Sequence, residues 1–502
     1  MGDDKTSTGE RLRAERLRKL EELKERGIEP YPYKYDTNID SEQIKEKYSD
    51  LEEQGHSGDS YRIAGRIMLM RSMGKATFMT IRDDKGDMQL FFRKDDVGKK
   101  YDNLKLFDLG DFIGAEGEVM RTKKGELSIY VRKFEFLSKA INPLPDKYHG
   151  VSDTELKYRK RYLDLIMNKE SKDILRKKMQ ILKYVREFLD ERRFMEVETP
   201  VLHTIYGGAA AKPFKTFHNE HKMDLFLRIS PELYLKRLLV GGYERVYDIN
   251  KNFRNEGIDT THNPEFTMLE VYQAYADYKD MMKLTEEMFE YVATKINGKP
   301  EGYFKGKKIK LKAPWKKVKM LDAIKKYAEI DVSDMKVSEL KSFVKKNKVE
   351  FDKEETWGNY VIAIFEHFCE DKFEQPTFII DHPVESSPLC KKHKKDERLI
   401  ERFEPFCMGM ELANAYSELN DPIVQRKLLE DQSRQLRGGD EEANPLDEDF
   451  LQAIEQGMPP AGGLGVGIDR MAMLILGQES IRDVILFPTM KPEVKDNSKK
   501  DE

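Results

Sequence analysis

The stretch FRNEGIDTTHNPEF, residues 253–266, says most about the fold of this chain. It lies between ERVYDIN and TMLEVYQAYA, whose Val, Ile, Tyr and Leu residues predict two β-strands. The residues between them are polar, and Gly257 and Asp259 predict a short loop. The sequence therefore predicts a strand–loop–strand unit that brings an arginine, a glutamate, a histidine and a phenylalanine close together.

The side chains of this unit suit a nucleotide. The guanidinium of Arg254 is a planar fork that matches a phosphate or a carboxylate oxygen. Glu256 can accept a hydrogen bond from an exocyclic amine, His262 can donate one to a phosphate, and Phe266 offers a flat face to a purine. A surface hairpin with ordinary charges is the alternative interpretation of the same residues.

The string FRNEG followed by HNPEF resembles motif 2 of the class II aminoacyl-tRNA synthetases, in the form of the lysyl-tRNA synthetases. A helix predicted at about 170–193 and FMEVETP, residues 194–200, resemble motif 1, which packs across a two-fold dimer interface in that family. PPAGGLGVGIDRMAMLILG, residues 459–477, resembles motif 3, whose arginine contacts ATP. A Rossmann or P-loop interpretation of these glycines fails, because no strand precedes them and no Lys-Ser/Thr pair follows. The resemblance runs from about residue 10 to residue 492 and implies a homodimer.

The region 61–139 alternates with the period of β-strands. Five short strands, interrupted by a short polar helix after the third, predict an OB-fold barrel, a fold that binds single-stranded bases on one face. The candidate base-binding residues are Arg71, Phe78, Gln89 and Glu126. Phe78 could stack on a base, or it could belong to the barrel core. The resemblance implies an anticodon-binding domain in which Phe78, Gln89 and Glu126 contact anticodon bases.

Composition and charge limit the classes of protein. The chain has 502 residues, of which 39% are hydrophobic and 36% charged, and its formal net charge of −4 excludes a uniformly basic nucleic-acid coat. No apolar run approaches the roughly 18 residues of a membrane span, and the N-terminus lacks a signal-peptide core, so a cytoplasmic protein without membrane contact is expected. Three cysteines without a CxxC pair argue against a disulfide framework and a zinc site. Cys390 and His393 are predicted to lie in a solvated loop.

The fold class predicted for the whole chain is a multidomain α+β protein. The predicted parts are an N-terminal helical extension (1–60), the OB-fold anticodon-binding domain (61–139), a linker (140–160), a class II catalytic domain with an antiparallel sheet flanked by helices (161–492), a helical insertion within it (about 298–375) and a disordered tail (493–502). The helix predicted at 10–27 is basic in its first half, which fits either a solvated face or contact with RNA.

The segment RFEPFCMGMELANAYSELNDP, residues 402–422, holds two groups of polar side chains. Glu404 and Glu411 suit Mg²⁺ beside phosphate, but they lie an odd number of residues apart and would face opposite sides of an unbroken strand. Joint binding of a cation therefore requires a turn, for which Gly409 is the candidate. By contrast, the side chains at 414, 416 and 418 alternate onto one face and can line a pocket for a polar amino acid.

The resemblance implies a role for each site residue. The catalytic pair would be Arg254, which bridges a lysine carboxylate and the α-phosphate of ATP, and Arg470, which steadies the far phosphates and stacks the purine against Phe266. The ATP site would comprise Arg254, Asn255, Glu256, His262, Asn263, Phe266, Glu404, Gly467, Ile468, Asp469 and Arg470. The lysine site would comprise Gly208, Glu232, Glu270, Tyr272, Asn414, Tyr416 and Glu418, with the α-ammonium at Gly208 and Glu232, the carboxylate at Asn414, and the ε-ammonium at Glu270 and Glu418. Mg²⁺ would be held by Glu404 and Glu411.

The function that the resemblance implies is activation of L-lysine by ATP, followed by transfer of the lysyl group to tRNA(Lys). Three alternatives stay open at this point. A ligase that attaches lysine to a protein is disfavoured by the N-terminal barrel, and an asparaginyl or aspartyl synthetase is disfavoured by FRNEG and ANAYSEL. A catalytically silent tRNA-binding or signalling homologue is disfavoured by the intact arginines and glutamates of the motifs.

Overall fold

The structure is a computed structural model that describes residues 8–145, 154–439 and 443–493. The chain divides into two compact units, residues 1–150 and 151–502. Residues 146–153 of the predicted linker and 494–502 of the predicted tail lie outside the described residues. No helix in the described ranges is long and apolar enough to cross a membrane.

The first unit is a β-barrel with helices at its N-terminus. Its elements are α1 (Thr8–Glu25), α2 (Ser41–Lys47), β1 (His56–Met73), β2 (Ala76–Arg82), β3 (Asp87–Arg93), α3 (Lys94–Val97), a 3-10 helix (Gly98–Leu106), β4 (Phe112–Arg121) and β5 (Leu127–Ser138). Within the described residues the five strands close in the order β1-β2-β3-β5-β4. Met79, Leu90 and Ile129 point inward and are fully buried, while their neighbours in sequence face outward, as the period of a strand requires. The predicted OB-fold barrel is confirmed, with a helix between its third and fourth strands.

The basic residues of α1 help attach this helix to its own unit. Arg16 is buried and donates to the backbone oxygens of Leu109, Ala140 and Asn142 at 2.9–3.1 Å. Lys19 lies 2.6 Å from Asp108. Leu20 and Leu23 complete the buried side of the helix. Part of the positive charge that the sequence offers to RNA is therefore used for packing.

The second unit is built around a sheet that is nine-stranded in the described part of the chain. Its elements up to the motif 2 segment and the helix that follows are α4 (Thr154–Arg159), α5 (Arg161–Met167), α6 (Lys169–Asp190), β6 (Met195–Glu196), β7 (Leu202–His203), β8 (Lys215–His218), β9 (Met223–Leu227), α7 (Glu232–Val240), β10 (Arg245–Phe253), β11 (Glu265–Ala274) and α8 (Tyr278–Asn297). The strand–loop–strand unit predicted around residues 253–266 is confirmed as β10 and β11, which pair antiparallel from Arg245↔Gln273 to Phe253↔Glu265.

The remaining elements complete the sheet and its cover. They are β12 (Glu301–Phe304), β13 (Lys307–Lys310), β14 (Lys316–Lys319), α9 (Met320–Tyr327), α10 (Val337–Asn347), α11 (Trp357–Phe368), β15 (Thr377–Pro383), β16 (Leu399–Cys407), β17 (Met410–Glu411), β18 (Ala413–Ser417), α12 (Pro422–Arg437), α13 (Glu448–Glu455), β19 (Ala461–Gly467), α14 (Ile468–Leu476) and α15 (Ile481–Val484), with 3-10 helices at Glu370–Lys372 and Val384–Ser386. The strand order is β14-β15-β16-β18-β19-β11-β10-β6, with β17 paired to β16. Pairing is antiparallel except for β14 with β15 and β10 with β6. The predicted antiparallel sheet flanked by helices is confirmed.

The segment 298–375 differs from the predicted helical insertion. Helices α9, α10 and α11 share a small core of their own, as expected, but the first third of the segment is β-structure. β14 pairs with β15 at the edge of the main sheet, and β12 with β13 forms a hairpin whose Phe304 and Ile309 are buried in the main core. The lysines conceal these strands, because each has a single apolar residue between charged ones, a buried Ile309 in KKIK and a partly buried Val318 in KKVK.

Candidate active site and nucleic-acid face

One face of the main sheet packs against the largest hydrophobic core, and the other face carries the site beside a second hydrophobic cluster. On β11, Leu269 and Val271 are fully buried in the core, so the intervening Glu270 projects from the opposite face. On β19 the residues that project with Glu270 are glycines, which leave that face bare. We call them the glycine floor: Gly463, Gly465 and Gly467.

The register of the strands places polar side chains on both sides of this floor. Gly465 pairs with Asn414 of β18 on one side and with Glu270 of β11 on the other. In the next row, Gly463 pairs with Tyr416 and Tyr272. A Cβ atom at Gly463 would lie 1.9 Å from a carboxylate oxygen of Glu418 and 2.6 Å from the Tyr272 ring. The absent side chain is therefore what makes room for the polar groups.

An open cavity of about 180 Å³, which we call the arginine cavity, lies at one end of the glycine floor. Ten of the residues predicted from the sequence line it: Arg254, Glu256, His262, Asn263, Phe266, Glu411, Asn414, Gly467, Asp469 and Arg470. The two arginines come from segments more than 200 positions apart, and the sheet brings them to one space. Gly465 lines the arginine cavity and pairs with Glu270, so the arginines and the buried glutamates lie on adjacent parts of one sheet face.

Arg254 is placed to receive an anion. Its guanidinium carbon lies 5.2 Å from the centre of the Phe266 ring. Its Nε is buried and has no hydrogen-bond partner among the described residues. A buried donor without an acceptor is costly, so a carboxylate or phosphate oxygen at this point would be stabilising.

Arg470 is held in the lining of the arginine cavity by contacts with Glu411 and His262. Its Nη1 donates to the backbone oxygen of Glu411 at 2.7 Å, and its Nη2 lies 3.1 Å from Nε2 of His262. Nδ1 of His262 in turn lies 2.9 Å from the carboxylate of Asp259. Partial burial opposes ionisation of Asp259, but hydrogen bonds from the backbone of Thr261 and from His262 lower its pKa to about 2. The ionised Asp259 thus fixes the loop that carries His262.

Glu404 and Glu411 come from one hairpin, as the prediction required. β16 ends at Cys407, Gly409 adopts a φ of +74°, and β17 returns so that Glu411 pairs with Phe406. The turn predicted at Gly409 is confirmed. Desolvation and the neighbouring Glu404 carboxylate raise the pKa of Glu411, while arginines 470, 402 and 254 act in the opposite direction. Glu411 therefore lines the arginine cavity, whereas Glu404 pairs with Arg402 outside the lining but lies close enough to raise the pKa of Glu411.

Three buried glutamates meet at the other end of the glycine floor. We call Glu232, Glu270 and Glu418 the carboxylate cluster; each is at most 3% exposed. Ser230 donates to Glu270 at 2.7 Å, and the Tyr272 hydroxyl lies 3.3 Å from the other oxygen of that carboxylate. Tyr416 donates to Glu232 at 2.6 Å.

The cluster has more negative charge than the protein itself neutralises. Nζ of Lys236 lies 2.6 Å from Glu232 and 2.5 Å from Glu418. The nearby Arg228 is already paired with Asp248 at 3.0 Å. Among the described residues, one ammonium thus faces three carboxylates, and two negative charges are left in excess.

The excess charge is visible in the pKa values of the cluster. Burial, followed by the Glu232 carboxylate, raises the pKa of Glu270 to about 8. Burial also raises the pKa of Glu418 to about 8, where Lys236 lowers it but Glu232 and Glu270 raise it. Without a ligand these groups hold protons near neutral pH, and a ligand with two positive charges would displace them.

Some predicted residues stand apart from these two groups. Asn255 is exposed and does not line the arginine cavity. The side chain of Ile468 is packed in the core, so any contact of Ile468 with a nucleotide involves its backbone. Asp469 accepts from the backbone of Thr267 at 2.7 Å and pairs with Lys178 at 2.9 Å, which makes it a support of the cavity wall. Gly208 has a φ of +86°, and a Cβ there would lie 2.8 Å from Cβ of Glu232, so its backbone comes directly against the cluster.

Several residues of the site were not identified from the sequence. Lys236 lies four residues after Glu232, and that spacing on one helix was the available signal.

Arg402 and Glu370 were also missed. Arg402 donates to the side-chain oxygen of Asn414 at 2.9 Å and pairs with Glu404. It lies two residues before Glu404 on the same strand face, which was the available signal. Glu370, from the segment 298–375, had no recognisable signal. Burial and the surrounding acids, among them Glu404 and Glu411, raise its pKa to about 8.

The prediction of a solvated loop is wrong at Cys390. Its side chain is 3% exposed and its thiol donates to the backbone oxygen of Glu401 at 3.5 Å. Its backbone forms a β-bridge with Glu418, which carries it into the core beside the carboxylate cluster. Lysines and an arginine surround it in sequence, which conceals the buried position.

The outer face of the barrel carries a row of aromatic rings. Phe78 is half-buried and stacks on Phe91 at 4.7 Å between ring centres, and Phe91 stacks on Tyr130 at 5.5 Å. Arg71 pairs with Phe78 across β1 and β2, so it adjoins the end of the row. Phe78 is therefore on the outer face, and the alternative that it belongs to the barrel core is excluded.

The polar candidates lie in the adjacent row. Gln89 accepts a hydrogen bond from the Ser128 hydroxyl at 2.9 Å. Glu126 lies two residues before Ser128, immediately before β5, and is exposed. Phe91 and Tyr130 were not identified from the sequence, although Phe91 lies two positions after Gln89 and so shares its face.

Comparison with known proteins agrees with this geometry. Residues 153–491 match the family described as tRNA synthetases class II (D, K and N), and residues 61–137 match the OB-fold nucleic acid binding domain. A lysine–tRNA ligase of Clostridium novyi (strain NT) is 50% identical over 484 residues, covering 95% of this chain and 94% of the relative. A lysine–tRNA ligase of Syntrophomonas wolfei subsp. wolfei is 51% identical over 483 residues, covering 96% of this chain and 97% of the relative.

This chain belongs to the lysine–tRNA ligase family of class II tRNA synthetases. The family membership explains why arginines, paired glutamates and buried carboxylates share one sheet face in this synthetase. The alternative of an asparaginyl or aspartyl synthetase receives no support, because relatives that match nearly the full length are lysine–tRNA ligases.

Position 463 of the glycine floor has no room for a side chain. We expect Gly463→Ala to raise the KM for lysine by about 100-fold, because the new methyl group displaces Glu418 or the Tyr272 ring. Steady-state pyrophosphate exchange at varied lysine measures this effect. Gly241→Ala is the matched control, since a Cβ at Gly241 has its nearest neighbour at 3.4 Å. An unchanged KM in Gly463→Ala would contradict the placement of Glu418.

Proposed function

We propose that the chain activates L-lysine with ATP to lysyl-adenylate and pyrophosphate, and then transfers the lysyl group to the 3′ end of tRNA(Lys). The observation that carries the proposal is the excess of two buried carboxylates beside the arginine cavity. Lysine is an amino acid with two ammonium groups and one carboxylate. The cluster offers partners for the first two, and Arg254 offers one for the third.

Each substrate group has a defined partner in the proposal. The α-ammonium lies against Glu232 and the backbone of Gly208, and the ε-ammonium lies between Glu270 and Glu418. Asn414 and Arg254 receive the substrate carboxylate at the junction of the two groups. Tyr272 and Tyr416 orient the glutamates through the hydrogen bonds described above. A neutral side chain of similar length would leave buried carboxylates unpaired, and this selects lysine.

ATP occupies the arginine cavity. A carboxylate oxygen of lysine attacks the α-phosphorus, the bond from that phosphorus to the bridging oxygen breaks, and pyrophosphate leaves. Arg254 lies between the nucleophile and the α-phosphate, so it relieves the repulsion between two anions and stabilises the charge of the transition state. Arg470 and His262 face the outer phosphates, Phe266 packs against the purine, and Glu256 borders it, while Asn255 lies outside the cavity.

The residues fit a magnesium ion. Among the described residues no group of three His, Cys, Asp or Glu side chains forms a metal site by itself. Mg²⁺ beside nucleotides is usually held by one or two carboxylates, and substrate phosphates and water supply its other ligands. Glu404 and Glu411 are such a pair, and the ion would neutralise phosphate charge when bound.

The barrel provides the second contact with tRNA. The row of Phe78, Phe91 and Tyr130 offers stacking surfaces for unpaired bases, and Gln89, Glu126 and Arg71 border it with hydrogen-bonding groups. We further propose that the chain works as a cytoplasmic homodimer through its motif 1 segment, and that the domain limits given above describe its parts.

The decisive experiment has two stages. Lysine-dependent ATP–pyrophosphate exchange tests activation, and charging of a tRNA(Lys) transcript tests transfer. Absence of exchange would indicate a silent homologue, and exchange without tRNA charging would indicate a protein-lysylating enzyme. We expect both reactions, with little exchange for asparagine or aspartate.

Binding of lysine should release protons. Because the pKa values of Glu270 and Glu418 are about 8 in the free protein, both groups are largely protonated at pH 7 and ionise when ammonium groups arrive. Calorimetric titration at pH 7 in two buffers of different ionisation enthalpy measures the number released, which we expect to exceed one. Glu418→Gln should reduce the number by about one, since one titrating group is removed. Binding without proton release would contradict the raised pKa values.

The same groups fix the sign of the pH dependence of stability. A carboxyl group with a raised pKa binds its proton more tightly in the folded state than in the unfolded state. The ligand-free protein should therefore lose stability as the pH rises from about 4.5 towards 8, and saturating lysine should reduce this loss. Melting temperatures with and without lysine across this range test the expectation. A gap that is constant with pH would contradict it.

The aromatic row gives a prediction for tRNA alone. We expect Phe78→Ala to raise the KM for tRNA(Lys) by about 5- to 100-fold, which corresponds to roughly 1–3 kcal/mol for one stacked base. Pyrophosphate exchange should stay unchanged, because it needs no tRNA. Tyr33→Ala is the control, since Tyr33 is a fully exposed aromatic residue of the same unit outside the row. Equal charging kinetics for Phe78→Ala and the wild type would remove the row from the tRNA site.

A further inference from the structure

A lysine of the protein lies inside the carboxylate cluster. Lys236 belongs to α7, and its side chain is fully buried. Its Nζ lies 2.6 Å from Oε1 of Glu232 and 2.5 Å from Oε2 of Glu418. The rings of Tyr416 and Phe450 enclose the same nitrogen at 5.6 and 6.0 Å from their centres. One internal ammonium therefore connects two glutamates that come from segments 186 positions apart.

The connection is fixed at both ends. Glu232 is held a second time by the Tyr416 hydroxyl at 2.6 Å, and its helix also carries Lys236 one turn later. Glu418 is held by its backbone, which donates to Ala461 of the neighbouring strand at 2.8 Å. Oε1 of Glu418 has no hydrogen-bond partner among the described residues, so one oxygen faces Lys236 and the other faces the floor.

The ammonium of Lys236 stays charged in this position. Burial alone would lower the pKa of Lys236, but the carboxylates of Glu232 and Glu418 raise it above its ordinary value. The protein thus keeps a permanent cation where the proposed function places two subsites for cations.

We propose that Lys236 is a positioning residue that sets the length of the amino acid that the pocket accepts. The inference rests on the proposed function, in which Glu232 receives the α-ammonium and Glu418 the ε-ammonium. By contacting both carboxylates with one nitrogen, Lys236 holds them at a fixed separation, which in this proposal suits the four methylenes of lysine. Ornithine, which has three methylenes, would leave one of the carboxylates without a partner.

Lys236 also adjusts the charge of the cluster to that of the substrate. With Lys236, the cluster has two uncompensated carboxylates for two ammonium groups. Without Lys236, all three carboxylates are uncompensated, and Glu418 binds its proton more tightly because a positive neighbour is lost. Loss of Lys236 should therefore act on selectivity and on the pH dependence together.

The experiment compares Lys236→Met with Arg237→Met in the full chain. Arg237 is the next residue of α7, pairs with Asp447 at 2.8 Å and has no contact with the cluster, so its loss reports the general effect of removing an ion pair from this helix. Pyrophosphate exchange is measured with lysine and with ornithine between pH 6.5 and 9. Melting temperatures are recorded for the same proteins.

We expect Lys236→Met to lower kcat/KM for lysine by roughly 100-fold and the preference for lysine over ornithine by roughly 10-fold. The acidic limb of its pH profile should move to higher pH by about one unit. Arg237→Met should keep the preference and the profile of the wild type. Should Lys236→Met not fold, Lys236→Gln, which keeps two N–H donors without the charge, gives the same comparison.

Two results separate the failure of this inference from the failure of the proposed function. If the wild type exchanges with lysine and the Lys236 variants keep its lysine preference and pH profile, Lys236 is only structural and the inference is overturned. If the wild type shows no lysine-dependent exchange, the proposed function itself fails.

Discussion

Replacement of Arg254 by alanine is expected to lower kcat/KM for lysine-dependent pyrophosphate exchange by about 10³- to 10⁴-fold, which equals about 4–5.5 kcal/mol of transition-state stabilisation. The reason is the position of the guanidinium in the arginine cavity, with a buried Nε that lacks a partner and an aromatic ring at 5.2 Å. Two anions must approach each other during the reaction, and Arg254 is the cation that the proposal places between them. The loss should appear in kcat as well as in KM.

The chemical shape of the cation should matter as well as its charge. Arg254→Lys keeps the charge but loses the planar fork that can bind two oxygens, so we expect it to recover only a small part of the activity. Arg245→Ala is the matched control on the same strand. Arg245 donates to the backbone oxygen of Arg192, outside the arginine cavity, and its loss should change kcat/KM by less than about 3-fold. Wild-type exchange by Arg254→Ala would remove the proposed role of Arg254.

Replacement of Glu418 by glutamine is expected to raise the KM for lysine by about 10²- to 10³-fold, with a smaller effect on kcat. Glu418 is fully buried, so the loss of its charge leaves the ε-ammonium facing one carboxylate in a buried site. Discrimination against norleucine, which lacks the ε-ammonium, should fall in parallel. Exchange measured with both amino acids gives the two numbers.

Glu286, a buried glutamate outside the carboxylate cluster, provides the control for Glu418. Glu286 accepts from the backbone of Trp315 at 2.8 Å and lies outside the carboxylate cluster. Glu286→Gln tests whether the loss of any buried carboxylate of this unit weakens lysine binding. We expect a lower melting temperature and an unchanged KM. Normal lysine preference in Glu418→Gln, at normal efficiency, would remove Glu418 from the ε-ammonium site.

The sequence was most informative where one local rule decided the structure. Alternation of apolar and polar residues predicted β10 and β11, and a glycine between Glu404 and Glu411 predicted the hairpin that brings them together. The same alternation placed Phe78 and Gln89 on the barrel without deciding which face. The family resemblance supplied the roles, since spacing alone indicates only a polar pocket.

The sequence was less informative where long-range packing overrides composition. Lys236 looks like a surface residue of a short helix, and only the approach of β18 shows that it is buried between two glutamates. β14 lies in the segment 298–375, which was predicted to be helical, and its strand structure depends on pairing with β15. The contact of Arg254 with Phe266 depends on side-chain conformation, which no pattern of residue types specifies.

We propose that the buried carboxylates bind the two ammonium groups of lysine and that Arg254 binds its carboxylate. A crystal structure of the complex with lysine and a non-hydrolysable ATP analogue measures this directly. We expect the ε-ammonium to lie within hydrogen-bond distance of Glu270 and Glu418, and the lysine carboxylate to lie beside Arg254 and the α-phosphate. Lysine bound in the reverse direction, or bound away from these glutamates, would contradict it.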